Sequence, residues 1–299
     1  MPKIYDCFTY YNEELLLRLR LETLDKVVDT FVVAEATHTF SGIPKPLLFN
    51  PAHFRRFADR IIHIVVDDMP LDLHNAWANE AHQRNALLRG LTNAAPTDWV
   101  MISDIDEIPR PDAVLRYRPW NLCGTFVQRH YNYFINNLQV QPSACLKLRW
   151  WIRPKITTME HLRGFFKTPE NLRVYKRKSG IQGILNYVHK KVRHQRLEDG
   201  GWHFSWLMTP EQMVQKIESF SHTELNQPHI KSLNAIRSAI REGRDIMGKG
   251  ERFRLVELDD SFPRYILDHF ESFREWYLAP ETGAPSAQPP SFQTETSAE

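Results

Sequence analysis

Three carboxylates fall within four residues in the segment Ser103-Asp104-Ile105-Asp106-Glu107-Ile108-Pro109. Like charges held this close repel one another, and a hard divalent cation is the usual remedy. Asp104 and Asp106 alternate, so both side chains can reach one ion while Ile105 turns back into the core. Oxygen donors of this kind suit Mn²⁺ or Mg²⁺, with phosphate oxygens completing the shell. The bland alternative is an acidic loop that caps the next helix. Placement directly after a buried strand, at the edge where open α/β sheets bind ligands, favours the metal.

Two further segments carry usable chemistry. Glu80-Ala81-His82-Gln83-Arg84-Asn85 puts Glu80 and Arg84 one helical turn apart. That spacing serves either a surface ion pair or an arginine held, with Asn85, beside a diphosphate and the acidic loop. In Gly200-Gly201-Trp202-His203-Phe204-Ser205-Trp206, two glycines permit a sharp turn before a histidine flanked by tryptophans. His203 is expected as the third protein ligand of the metal, and Trp202 and Trp206 as platforms that stack on sugar faces. Glu35 and the loop Thr39-Phe40-Ser41-Gly42-Ile43-Pro44-Lys45 could hold a nucleotide; a solvated charged loop is the competing account.

Elements that position these residues are readable in the first hundred positions. Apolar runs at Ile4 to Tyr11, Phe31 to Ala34, Ile61 to Val66 and Trp99 to Ile102 read as strands. Between them, Leu15, Leu16, Leu19 and Leu24 mark one helix, with Asn12 as its cap. Trp77, Ala81, Leu88 and Leu91 mark one face of another. This alternation predicts an α/β fold with a mostly parallel sheet flanked by helices. Beyond Pro109 the pattern loosens: Thr125 to Val127 and Leu146 to Ile152 suggest strands. Thr209-Pro210-Glu211-Gln212 is a capping box that opens a helix with Met213, Ile217 and Phe220 on one face. Two more helices are expected at about 230–241 and 263–276, giving a helical C-terminal part. The stretch 279–299, rich in Pro, Ser, Thr, Gln and Glu, is expected to be a disordered tail.

Composition narrows the classes. With 42% hydrophobic residues in 299, the bulk of the chain can bury a core. Lys+Arg 38 against Asp+Glu 36 leaves a charge of +2, too little for a nucleic-acid binder that works through a general basic field. No apolar run reaches the ~18 residues of a membrane span, and none opens the chain as a signal peptide does. Cys7, Cys123 and Cys145 suit neither a disulfide framework nor a zinc cluster, so a reducing, cytoplasmic setting is expected.

Taken together, the segments resemble glycosyltransferase family 17, the family of the β-1,4-mannosyl-glycoprotein N-acetylglucosaminyltransferases. The matching pieces run in family order: Asp6-Cys7-Phe8, Tyr11-Asn12-Glu13, Arg20-Leu21, Phe31-Val32-Val33 with Glu35, and Thr39 to Pro46. Glu80, Gln83-Arg84-Asn85, Asp104 to Pro109 and Gly201 to Trp206 follow. The resemblance implies a GT-A-like fold over 1–278, with a nucleotide-binding half at about 1–110 and an acceptor half at about 111–278. It further implies inverting transfer of a sugar, N-acetylglucosamine by family pattern, from a UDP-sugar to a glycan hydroxyl. Asp104 and Asp106 would form the metal motif with His203. Asn12, Glu35, Lys45, Arg84, Asn85 and Asp104 would bind donor, and Trp202 and Trp206 acceptor. Asp106 and Glu160 are the catalytic candidates, Glu160 as the base that deprotonates the acceptor. The animal enzymes carry an N-terminal anchor and stem that this sequence lacks, which suggests a soluble relative acting on a surface polysaccharide or lipid-linked glycan. Two other readings stand beside this one: a haloacid-dehalogenase-like phosphohydrolase, which also carries Asp-x-Asp after a strand, and a non-catalytic sugar-nucleotide binder.

Overall fold

A computed structural model describes residues 1–72, 75–141, 150–175, 193–219 and 227–280. Strand β1 (Ile4–Tyr10) leads into helix α1 (Glu14–Leu24), then β2 (Thr30–Ala36) and β3 (Ile61–Val66). Helix α2 (Ala76–Asn85) precedes β4 (Trp99–Asp104) and the short β5 (Glu107–Pro109). Further along come helix α3 (Pro111–Leu115), then strands β6 (Cys123–Phe126), β7 (Arg129–Asn132), β8 (Asn137–Gln141) and β9 (Lys155–Thr158). Helices α4 (Met159–His161) and α5 (Pro169–Arg173) lead to β10 (His194–Leu197), β11 (Gly201–Ser205) and finally β12 (Arg252–Leu255).

The strands form two sheets. A seven-stranded sheet has the order β10-β6-β9-β4-β1-β2-β3, and a five-stranded one β12-β8-β7-β11-β5. In the first, β1 pairs parallel with β2 and β4, and β2 with β3; only β9 runs against its neighbours. The expected mostly parallel α/β sheet is therefore present. Its strands are apolar on both faces because helices cover both: Phe8, Phe31 and Val33 pack on one side, Cys7, Val32 and Ala34 on the other. Cys7 and Cys123 are buried as small core residues.

Several local expectations change. Asn12 is exposed and does not cap α1; Glu13 instead accepts the amides of Tyr11 and Asn12, each at 3.1 Å. Trp77 is half exposed, away from the inward face of α2. The capping box is present, Thr209 and Gln212 exchanging bonds of 2.9 and 3.3 Å ahead of helix Pro210–Ser219. The later helices are shorter than read, Leu233–Arg241 and Arg264–Asp268, with a 3₁₀ turn over Phe270–Trp276. Strand β12 interrupts the helical C-terminal part. Most of the strand read at Leu146 to Ile152, Phe220, Cys145 and the tail from residue 281 lie outside the described residues.

Gly201 is where the two-glycine turn is indispensable. Its φ is +131°, and an added Cβ would sit 2.1 Å from the Ile108 carbonyl oxygen. That close approach lets β11 pair with β5, which carries the acidic loop. Gly201→Ala is expected to cost about 3 kcal/mol, from left-handed strain plus the backbone clash, read as a lower urea midpoint at unchanged slope.

Candidate active site

One cavity of about 590 Å³ opens at the carboxyl ends of β1 and β4, where open parallel sheets place ligands. Register explains what faces it. Thr9 on β1 lies beside Asp104 on β4, the last residue before the acidic turn. On the other sheet, β11 runs parallel to β7, so His203 lies beside His130 and Ser205 beside Asn132. These four line the cavity. Their strand neighbours Trp202 and Phe204 point the opposite way, into the core.

The acidic turn is held mainly by arginines. Arg173 donates to Asp104 at 2.5 Å and to both oxygens of Glu107, at 2.6 and 2.7 Å. Arg84 reaches the other Asp104 oxygen at 3.2 Å, Glu80 at 2.5 Å, and also Glu170. Burial alone would push the Asp104 carboxyl up, but Arg173 and Arg84 outweigh it and hold the pKa down at about 2. Glu107 is fully buried, accepts the Asp104 amide at 2.9 Å and takes a hydrogen bond from Trp151 Nε1. Its role is to shape the turn.

Asp106 is different. Among the described residues its side chain meets no arginine and faces His203, with Nε2 3.5 Å from Oδ2. Burial again pushes its carboxyl up; His203 outweighs that and lowers it, with Lys216 helping. The His203 ring is stacked between Trp151 at 4.2 Å and His130 at 4.6 Å, so its direction is fixed.

A divalent cation suits the chemistry of this corner. Asp106 faces His203, and carboxylate plus imidazole is a donor set that Mn²⁺ and Mg²⁺ accept. The expected preformed triad is nevertheless absent: among the described residues no three His, Cys, Asp or Glu are grouped to hold an ion. The physical reason is that arginines engage both Asp104 oxygens. Asp106 and His203, which face each other, stand outside those arginine pairs.

Residues 1–134 match the family model of Glycosyltransferase family 17. The resemblance read from the sequence is borne out over these residues. The β-1,4-mannosyl-glycoprotein 4-β-N-acetylglucosaminyltransferases of Rattus norvegicus and Mus musculus are each 26% identical over 298 residues, covering 91% of this chain. The chain spans about half (54%) of their length. The solved structure of glucosyl-3-phosphoglycerate synthase from Mycobacterium tuberculosis, in complex with Mn²⁺, uridine diphosphate and phosphoglyceric acid, aligns with a TM-score of 0.36. It is 12% identical and covers 89% of this chain and 91% of that one. At that score the likeness bears on neither the fold nor the chemistry here.

Of the positions the resemblance singled out, Asp104, Asp106, Arg84, Lys45, His203 and Trp206 come together around the cavity. Others do not. Glu35 is fully buried, and its carboxylate is taken up by the amides of Leu48 and Phe49, by Lys45 and by His63. It tethers the loop and Lys45 and has no lone pair left for a donor. Asn12 is exposed outside the cavity, and Asn85 accepts the Glu170 amide at 3.0 Å, orienting α5. Trp202 is buried beneath Arg110, with its Nε1 bonded to the Ser261 carbonyl, so it offers no face to a sugar.

Glu160 requires the clearest correction. Strand β9 runs antiparallel to β4, with Thr158 opposite Trp99, so the chain leaves β9 at the amino end of β4. Glu160 is exposed there, its amide on the Pro96 carbonyl, at the far end of the sheet from Asp104. It cannot be the base. Sequence reasoning also missed Arg173, His130 and Trp151. The start of α5 was legible in Thr168-Pro169-Glu170, but nothing local shows that Arg173 reaches a loop 69 residues away.

Proposed function

We propose that this chain is an inverting, metal-dependent glycosyltransferase that moves a sugar from a UDP-sugar to a glycan hydroxyl. N-acetylglucosamine is the sugar the named relatives suggest, and a polysaccharide or lipid-linked glycan is the alternative acceptor. One observation carries the reading: in a chain whose first 134 residues match the family 17 model, Asp104, Asp106, two buried arginines and His203 converge on one cavity at the strand ends.

The donor occupies the wall built by the N-terminal half. Tyr11, Phe40 and Trp77 offer aromatic faces for a base, and Lys45 stands among them over the Tyr11 ring. Arg84 and Arg173 present fixed donors to a diphosphate, whose departure they favour by meeting the charge that develops. Asp106 and His203 would hold the divalent cation, with Asp104 at their side. When bound, the ion supplies Lewis-acid stabilisation of the leaving diphosphate. Trp206 and the second sheet form the acceptor wall.

The test is release of UDP from UDP-N-acetylglucosamine, assayed with a glycan panel that includes β-mannosides, with Mn²⁺ and after chelation. Acceptor-dependent release that needs the metal is the expected result. Tight donor binding with no turnover on any acceptor would mark a non-catalytic binder instead.

A further inference from the structure

We infer that Glu251 is the catalytic base that takes the proton from the acceptor hydroxyl, an inference that rests on the transferase reading above. Glu251 lines the same cavity as Asp104 and Asp106 and stands at the entry to β12, the edge strand of the five-stranded sheet. Inverting displacement needs the base across the anomeric carbon from the leaving group. Asp104 comes from the end of β4 in one sheet, and Glu251 from the start of β12 in the other.

The other carboxylates of the cavity are committed. Glu80, Asp104 and Glu170 are paired with arginines. Glu13 accepts the amides of Tyr11 and Asn12, and Asp106 faces His203. Asp245 accepts the Lys249 amide at 2.9 Å and the Glu251 amide at 3.1 Å. Those two bonds close the turn that presents Glu251, so the base sits on anchored backbone while its carboxylate meets no arginine among the described residues.

Its surroundings suit a base. Half-burial and the nearby Asp245 charge push the carboxyl up from its ordinary value, and they prevail over Lys249, His203 and the hydrogen bond to Gln139 on β8, which pull it down. A carboxylate with a raised pKa accepts a proton more readily than a free one. As the acceptor oxygen bonds to the anomeric carbon, the bond from that carbon to the diphosphate oxygen breaks. The electron pair leaves with UDP, and the acceptor proton passes to Glu251 and then to water.

Glu251→Gln tests this, because it keeps the shape and removes a charge that burial disfavours. Transfer from UDP-N-acetylglucosamine to an aryl β-mannoside with Mn²⁺ is expected to fall at least ~100-fold, with calorimetric UDP binding unchanged within about threefold. The wild-type rate should fall towards acid pH as Glu251 protonates, and that limb should vanish in the variant. Activity within threefold of wild type, or loss of UDP binding together with transfer, overturns the assignment. A wild-type protein that transfers to no acceptor removes the transferase reading first, and the role of Glu251 with it.

Discussion

Asp106→Asn is expected to lower sugar transfer about 10³-fold while moving the thermal midpoint by no more than about 2 °C. The two halves of that expectation have separate causes. The backbone at Asp106 is anchored without its side chain, since its carbonyl accepts the Phe204 amide at 2.9 Å. Asparagine can still face His203, so little folding energy is lost. What disappears is the one carboxylate of the acidic turn that no arginine among the described residues neutralises, and with it the charge left to meet a cation. Asp104→Asn should behave differently: both its oxygens pair with buried arginines, so stability and transfer should fall together. Transfer by Asp106→Asn within tenfold of wild type would falsify its placement at the reacting centre.

How far the site could be read in advance depends on whether the information was local. β1, β2 and β4 were legible because strands covered on both faces are short apolar runs, and Asp104 was legible because it ends one of them. β3 was legible from its apolar run although it is an edge strand with Ile62 and Val65 exposed. Trp202 was misassigned despite a local clue. Adjacent residues of a strand face opposite sides, so a cavity-facing His203 already excludes Trp202 from the same wall. Glu160 failed for a different reason. Its end of the sheet follows from β9 running against β4, and strand order across more than fifty residues leaves no periodic trace. Arg173, His130 and Glu251 share that obstacle: each reaches the cavity through pairing or helix placement between distant segments. Asp104 shows how a correct position can carry an incomplete inference. Clustered acids do require a positive neighbour, but here arginines already supply part of it.

Arg20→Met is expected to lower the free energy of unfolding by about 3–5 kcal/mol, measured by urea denaturation, and to abolish transfer at temperatures where the variant is still folded. Arg20 and Asp6 are both fully buried, joined by bonds of 2.6 and 2.7 Å. The guanidinium lies 4.5 Å over the Phe8 ring and donates to Ser103 Oγ at 2.5 Å. Its remaining amino group reaches three carbonyls of the acidic turn, those of Asp104, Ile105 and Glu107, at 2.9 to 3.2 Å. Methionine would leave a buried carboxylate without a counter-ion and three carbonyls without a donor. The double variant Arg20→Met with Asp6→Leu separates these losses, because a buried ion pair replaced by apolar groups of similar volume often costs little. Stability should recover in part, as the orphaned charge is gone. Transfer should not recover, as nothing restores the bonds that shape the turn. Full recovery of both would mean that Arg20 serves Asp6 alone and that the acidic turn keeps its geometry without it.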